Sequence, residues 1–404
     1  MDARPLEGLR VLELGQVYNG PYCGLLLAHA GADVVKVEPP GGEILRRHDI
    51  SPPGGSLSFL MLNADKRAIT LDLKSDRGRA IFLDLVEKAD VVIENFRDGV
   101  PDTLGISWEI LSARNPRLIL ASGRGYRSGS AYRSLAAMDF TVQAMAGHMA
   151  ITGFPDHPPV KAGATLADMF GASHLFGAIL LALHDRERTG RGRPVEVAML
   201  DALFPSLLAY ASPYLEHGID PGRVGNRHSV PGSAPYGAFP TRDGGWVAIM
   251  CVTDGQWTKF CAVCGDSELA DDESLKRAPA RGARRDWIEE RVAAWTSGLD
   301  RADLLARLEA AGIPCAPVRT LAEAVDDPYN REQGLLRDVE VPNRGTVPTL
   351  GSPIQLRDPA APLRADPARP RLPPRLGEHS REVLAQWLGL DEEALDELQT
   401  GGIL

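Results

Sequence analysis

Short apolar runs alternate with longer amphipathic stretches through the first half of the chain. Arg10–Leu14, Asp33–Glu38, Ala68–Leu71, Val91–Glu94 and Leu118–Ser122 are apolar runs of strand length, and the pattern predicts a strand at each. Helices are predicted at Gly20–Ala30, where Gly20-Pro21 puts a proline in the tolerant first turn, at Asp76–Lys88 and at Trp108–Ala113. Repeated strand–helix–strand units predict an α/β fold with a parallel, doubly wound sheet. Ligands of such sheets bind at the carboxyl ends of the strands.

A long helix is predicted over Phe170–Arg186, with apolar or small residues on nearly every face, and is expected to be buried. The basic turn Thr189-Gly190-Arg191-Gly192-Arg193 leads into a strand at Pro194–Val197, and a helix is expected over Ala198–Glu216. The Gly-, Pro- and Arg-rich segment Gly218–Pro235 reads as a crossing into a second block, Tyr236–Thr320, which opens on a strand pair around Thr241–Gly245. A Pro-rich stretch, Asp358–Pro374, precedes a helical segment at Ser380–Leu398. The expected domains are 1–217, large and Rossmann-like; 218–335, smaller and α+β; and 336–404, a crossing and helix returning to the first.

The 404 residues are 44% hydrophobic and 24% charged, with a net charge of −10. That balance suits a globular protein with room for two domains and lacks the basic field that nucleic acid requires. The segment MDARPLEGLRVLELG has no apolar core of a secretory leader. No apolar run is read as reaching membrane-spanning length, the longest, Leu175–Leu183, being too short, so no membrane partner is expected. Five scattered cysteines suit a reducing cytoplasm better than a disulfide framework. Cys261 and Cys264 form a CxxC without a second pair or a neighbouring histidine, so core packing on a helix is expected there, and no metal site.

Candidate chemistry centres on Asp168, just before the long apolar helix. An ionised carboxylate there is costly unless it is paired or functional, and the structural alternative is a helix N-cap. After the first strand, Gly15, Gly20 and Gly24 do not spell GxGxxG, so a dehydrogenase is not expected even though Glu38 ends the second strand where a ribose-binding acid would stand. The same turn can face the phosphates of a nucleotide-like ligand; for Gln16 and Asn19 ordinary turn chemistry is the alternative. Lys66, Arg67 and Lys74 are either cations for a pyrophosphate or a solvated basic edge. Asn95 and Phe96, after the fourth strand, suit a polar clamp and an apolar wall.

Taken in order, these blocks resemble the class III CoA-transferase family, the carnitine dehydratase/bile-acid-inducible protein F type with its formyl-CoA transferase-like members. Gln16–Pro21 matches the family's first turn. Asn63–Lys74 is similar to "N..KRS..LDLK", Asp90–Arg97 to "DV.IENFRPG" and Met138–Gly147 to "YDF..QAMSG". Thr165–Ala202 carries "LAD…G…TGRG…V.VAMLDA". Gly225–His228 and Ala234–Gly237 resemble "GNRH…APYG.F", and Leu376–Ser380 resembles "LGEHT", read as a helix start near the site. The resemblance spans essentially the whole chain.

It implies Asp168 as a covalent nucleophile and Asp139 as a second catalytic candidate, with a structural hydrogen-bonding role as the alternative for Asp139. It implies CoA contacts from Gln16, Tyr18, Asn19, Leu71, Leu73, Lys74, Asn95, Phe96 and Arg97. Thr103 and Pro39 stand where relatives carry Arg. No prosthetic group is implied; coenzyme A and acyl-CoA are substrates, with an acyl-CoA donor, a carboxylic acid acceptor and an interlocked homodimer in the cytoplasm. The implied reaction passes through an aspartyl anhydride and an aspartyl-CoA thioester on Asp168. Oxyanion donors are expected from the helix after Asp168 and from Val230–Gly237. The racemase branch of the fold places a His where this chain has Met138, so α-methylacyl-CoA epimerisation is the alternative, and a non-catalytic CoA-binding homologue is a third.

Overall fold

The computed structural model describes residues 4–47, 56–229, 232–356 and 371–404. Its contacts divide the chain into two compact units, one built from Met1–Ala146, Gly163–Pro205 and Pro328–Leu404, the other from Gly147–Ala162 and Ser206–Asp327.

The first unit is organised on a six-stranded sheet of β1 (Arg10–Glu13), β2 (Asp33–Glu38), β3 (Arg67–Thr70), β4 (Val91–Glu94), β5 (Ile119–Arg124) and β6 (Pro194–Ala198), in the order β3-β2-β1-β4-β5-β6. Every neighbouring pair is parallel. The strands read as apolar runs because helices cover both faces. Val11, Val34, Val91 and Ile119 pack with Leu27 of the helix Asn19–His29 and with Leu175 and Ile179 of the helix Leu166–Thr189. Leu12, Val35, Val92 and Leu120 pack on the other side with Phe82 and Leu85 of Asp76–Val86 and Val383 and Trp387 of Ser380–Leu388. Strand order reverses between β1 and β4, which opens a crevice at their carboxyl ends.

The crossover from β5 to β6 contains the long helix, which begins at Leu166 rather than Phe170. Ala167, Gly171, Ala172, Leu175, Ile179, Ala182 and Arg186 form one buried stripe at helical spacing. Burial on every face is not observed, since Leu181 is 74% and Phe170 38% exposed. By length and composition this helix could also cross a membrane, which corrects the expectation that no segment would. Here its buried stripe covers one face of the sheet.

The basic turn after it serves packing. Gly190 closes the helix in the left-handed conformation at φ 67°. Gly192 stands where a Cβ would lie 1.8 Å from the Leu118 carbonyl oxygen, and Arg193 pairs with Asp185. The helix expected over Ala198–Glu216 is three pieces, Met199–Leu203, the 3-10 turn Phe204–Leu207 and Leu208–His217, because Pro205 cannot continue the hydrogen-bond ladder. Ser380–Leu398 likewise becomes Ser380–Leu388 and Glu392–Thr400, parted at the left-handed Gly389.

The second unit carries an antiparallel sheet of β7 (Tyr236–Pro240), β8 (Trp246–Met250) and β9 (Cys315–Pro317), with β7 and β8 joined through Thr241–Gly245. Helices pack Trp257, Phe260, Ile288, Val292, Leu304 and Leu308 against it. This unit takes in 147–162 and 206–217, which the expected boundary at 217 had left in the large domain. The contacts are specific: His148 Nε2 meets Ser206 Oγ at 2.7 Å, and Arg223 Nε donates to the Phe154 carbonyl at 3.2 Å. The return to the first unit starts at Pro328, not at 336. It contains a hairpin that the sequence pattern did not reveal, β10 (Leu336–Val341) with β11 (Gly345–Leu350), whose Val339 and Val347 pack on Phe59, Leu60 and Leu62. Most of the Pro-rich stretch, residues 358–370, lies outside the described residues.

Gly192→Ala is expected to destabilise the protein by about 2 kcal/mol, read by chemical denaturation, because its Cβ meets backbone that cannot step aside. Unchanged stability would show that the Leu118 carbonyl does not confine this position.

Candidate active site

A cavity of about 290 Å³ occupies the switch point. Gln16, Val17 and Asn19 after β1, Asn95–Asp98 after β4 and Gly123–Tyr126 around the end of β5 line it, facing Arg133, Met138, Asp139 and Asp168. A larger cavity of about 830 Å³ lies in the second unit, where the carboxylate of Glu289 is engaged by Arg227 at 2.7 Å. The smaller cavity is lined by the three carboxylates Asp98, Asp139 and Asp168.

Asp168 lies within the first helical turn and is not the N-cap; the cap residue is Thr165, whose side chain makes no capping bond. The cap is supplied from elsewhere. Asp139 Oδ1 accepts the backbone N–H of Ala167 at 2.7 Å and that of Asp168 at 3.4 Å. Asp139 opens the helix Asp139–Met145, and Gln143 one turn later donates through Nε2 to Asp139 Oδ2 at 2.7 Å and to the Ala164 carbonyl at 3.2 Å. Two carboxylates are thereby held side by side. Burial, and then the Asp139 charge, push Asp168 up to about 7. A half-buried carboxylate shifted this far and facing a cavity is a functional-site candidate. The expected oxyanion donors at this helix are partly used: Asp139 takes the N–H groups of Ala167 and Asp168, and Thr165 O takes that of Met169 at 3.2 Å. Of the other candidate loop, Val230 and the residue after it lie outside the described residues.

The opposite wall is a turn held by buried charge. Asn95 Oδ1 accepts the Gln16 N–H at 2.8 Å while Asn95 Nδ2 donates to the Gln16 carbonyl at 2.9 Å. Val17 is left-handed at φ 64°, and its N–H is taken by Glu43 Oε2 at 2.9 Å. Beneath it, Glu13 accepts both Lys36 at 3.1 Å and Lys66 at 2.7 Å. Lys36 Nζ also donates to the Gly15 carbonyl at 2.8 Å and stands 3.6 Å from Glu43, while Lys66 Nζ donates to the Pro21 carbonyl at 2.8 Å. All four charged side chains are no more than 1% exposed. Burial pulls Lys66 down to about 8. Burial acts the same way on Lys36, but Glu13, Glu43 and Glu38 together outweigh it and raise Lys36 above the usual lysine value.

This network corrects the phosphate reading of the basic block. Lys66 is sealed against Glu13, and Arg67 is held by Asp33 and Glu382. Glu38, the ribose-binding position of a dehydrogenase, is held by Arg46 at 2.7 Å. The cavity brings Gln16, Asn19, Asn95, Phe96 and Arg97 together with Asp139 and Asp168. It does not include Tyr18, which packs beside Phe59, nor Leu71 and Leu73, which belong to the core, nor the exposed Lys74. His379 and Ser380 of the C-terminal motif do not line it either; their side chains accept the N–H groups of Ala68 and Thr70 on edge strand β3, both at 3.2 Å. His228 sits edge-on to Tyr236 in the second unit, with centroids 5.4 Å apart. Cys261 and Cys264 are pushed up by burial, to about 12 and about 11, and stay protonated thiols.

Sequence reasoning missed Glu13, Lys36 and Glu43; a charge inside the apolar runs RVLEL and DVVKVE was the available signal for the first two, and Glu43, in a glycine-rich turn, had none. It also missed Arg124, which donates to the Phe96 carbonyl at 3.0 Å and pairs with Glu94 and Glu196, and Arg133 on the cavity rim.

Fold and site define an α/β protein with a carboxylate-lined cavity at the switch point of its sheet, and comparison with known proteins gives its class. Residues 6–380 match the family described as CoA-transferase family III. The chain is similar to the formyl-CoA:oxalate CoA-transferase of Streptomyces coelicolor, 36% identical over 100% of both chains. It is 39% identical to the succinyl-CoA:mesaconate CoA-transferase of Haloarcula hispanica over 94% of this chain and 95% of that one. The crystal structure of a CaiB/BaiF family protein from Brucella suis superposes with a TM-score of 0.82 at 37% identity, covering 96% of this chain and 100% of that one. The chain belongs to CoA-transferase family III and is a CoA-transferase.

The raised Asp168 carries a stability signature. The folded state binds its proton more tightly than the unfolded chain, so its stabilising contribution is full below about pH 4 and is lost as pH rises through about 7. Asp168→Asn removes that loss. Its stability relative to wild type should improve from pH 4 to pH 8 and end about 1–3 kcal/mol ahead, as read by denaturant melts; parallel curves would contradict the raised value.

Proposed function

We propose that the protein transfers CoA from an acyl-CoA to a carboxylic acid through covalent intermediates on Asp168. The observation that carries this reading is the cavity-facing Asp168 held beside Asp139 with its affinity for a proton raised. An Asp168 carboxylate oxygen attacks the thioester carbonyl, the C–S bond breaks, and CoA thiolate leaves a mixed anhydride. The thiolate attacks the aspartyl carbonyl, releasing the donor acid and leaving an aspartyl-CoA thioester. The acceptor carboxylate attacks that thioester to form the second anhydride, and the thiolate returns to the acceptor's acyl carbon, restoring Asp168. No net proton or electron is consumed, and each exchange is split into easier steps.

Arg97 and Arg133 on the cavity rim favour anionic substrates. Thr103 adds no cation, since its hydroxyl donates to the Gly99 carbonyl at 3.1 Å. The cavity volume of about 290 Å³ suits a short acid, and the printed names of relatives include oxalate, mesaconate and glutarate. A short dicarboxylate is therefore the proposed acceptor class. Met138, 61% exposed, has no group that accepts or gives a proton, so the epimerase alternative lacks its second base. CoA enters as substrate, with no prosthetic group invoked. The five free thiols are in keeping with a reducing cytoplasm.

A homodimer, interlocked as in the resemblance, completes the proposal. It is supported by apolar side chains open to solvent in the single chain, Leu181 at 74%, Leu208 at 70% and Leu215 at 77%.

After exposure to a panel of acyl-CoAs, mass spectrometry should find an acyl or CoA adduct on the peptide holding Asp168, absent in Asp168→Ala, which should bind CoA without turnover. Turnover retained by a clean Asp168→Ala preparation would sink the nucleophile assignment. In sedimentation with serial dilution the active species should be a dimer; a folded, active monomer would refute the interlocked arrangement.

A further inference from the structure

We propose that Asn19 is a positioning residue for the covalent step, gripping the main chain of Asp168 so that the carboxylate is aimed at the thioester. The inference rests on Asp168 being the attacking group. Asn19 Nδ2 donates to the Asp168 carbonyl at 3.2 Å, across 149 residues of sequence. On the other side of the same residue, Asp139 Oδ1 accepts the Asp168 N–H at 3.4 Å. The two peptide groups of Asp168 are thus held from two different elements, and little beyond its side-chain torsions is left to vary.

The slot that admits the amide is built by two glycines. A Cβ on Gly123 would stand 2.2 Å from Asn19 Oδ1, and one on Gly171 would stand 2.4 Å from Asn19 Nδ2. Asn19 is 3% exposed, and its Oδ1 is buried without a hydrogen-bond partner. A buried amide that uses only its donor end is costly for stability alone, so the donor bond to Asp168 is the feature to explain. Asn19 lines the cavity, and the donor end of its amide is spent on the Asp168 carbonyl. The turn that carries it is itself anchored by the Glu13, Lys36 and Lys66 cluster.

Asn19→Ala should slow formation of the Asp168 adduct by about 10- to 100-fold, the scale on which misplacement of a reacting group acts, with CoA affinity by calorimetry unchanged. Gly123→Ala, which crowds the amide from its oxygen side, should reproduce the loss with Asn19 present, and it carries the test if Asn19→Ala does not fold. Asn19→Asp should move the acid limb of kcat/KM to higher pH, because it adds a carboxylate beside Asp168. The charges already around this cavity are Asp139, Asp98, Arg97, Arg124 and Arg133. Wild-type adduct rates in Asn19→Ala, with Asp168→Ala inert, would overturn the positioning role and leave the nucleophile standing. Parallel loss of CoA affinity and rate would make Asn19 a CoA contact instead. Turnover in Asp168→Ala would remove both.

Discussion

The buried charge cluster beneath the first turn is the constraint on which the site depends. Glu13 lies at the end of β1 with two lysines closing on its carboxylate, and Glu43 closes the network by binding the N–H of a left-handed valine. Buried ions are tolerated only when paired, and removing one partner strands the rest, at a cost of about 3–5 kcal/mol. The cluster therefore imposes one geometry on the turn Gly15–Asn19. From that turn, Gln16 is clamped to Asn95 and Asn19 reaches the main chain of Asp168. A charge network outside the cavity lining sets where Asp168 stands.

The second organising element is the exchange of caps between helices. Asp139 belongs to one helix and caps another, which ties Asp168 to the segment that closes the far side of the cavity. The same carboxylate has two effects. As a hydrogen-bond acceptor it orders the first turn, and as a charge it raises Asp168. The hydrogen bonding of Asp139 and its electrostatic effect on Asp168 are two consequences of one placement. The raised value favours the protonated form of Asp168, which lessens the repulsion between two half-buried neighbouring carboxylates.

Much of the fold was legible because strand-length apolar runs separated by glycine and proline leave few arrangements other than a parallel sheet. The six strands fall within a residue or two of where the pattern placed them. The errors have physical causes. The hairpin Leu336–Leu350 alternates weakly and carries prolines, so periodicity passed over it. Pro205 cut a helix that looked continuous, and the cut coincides with the boundary between compact units. The basic residues of the LDLK block looked like phosphate ligands because a linear sequence does not distinguish a solvated lysine from one sealed against a glutamate.

The sequence by itself determined the class of fold and the identity of Asp168 as the residue to watch, because both follow from local pattern: strand and helix periodicities, and an acid where an apolar helix begins. The tertiary structure alone decided the partners. Asp139 meets Asp168 across 29 residues, Asn19 across 149 and Asn95 meets Gln16 across 79. Nothing local to any of these residues specifies its partner. Those pairings arise when the sheet order reverses between β1 and β4 and brings the ends of distant strands to one crevice. Whether a charged side chain there is a ligand or a buried strut depends on what surrounds it after folding.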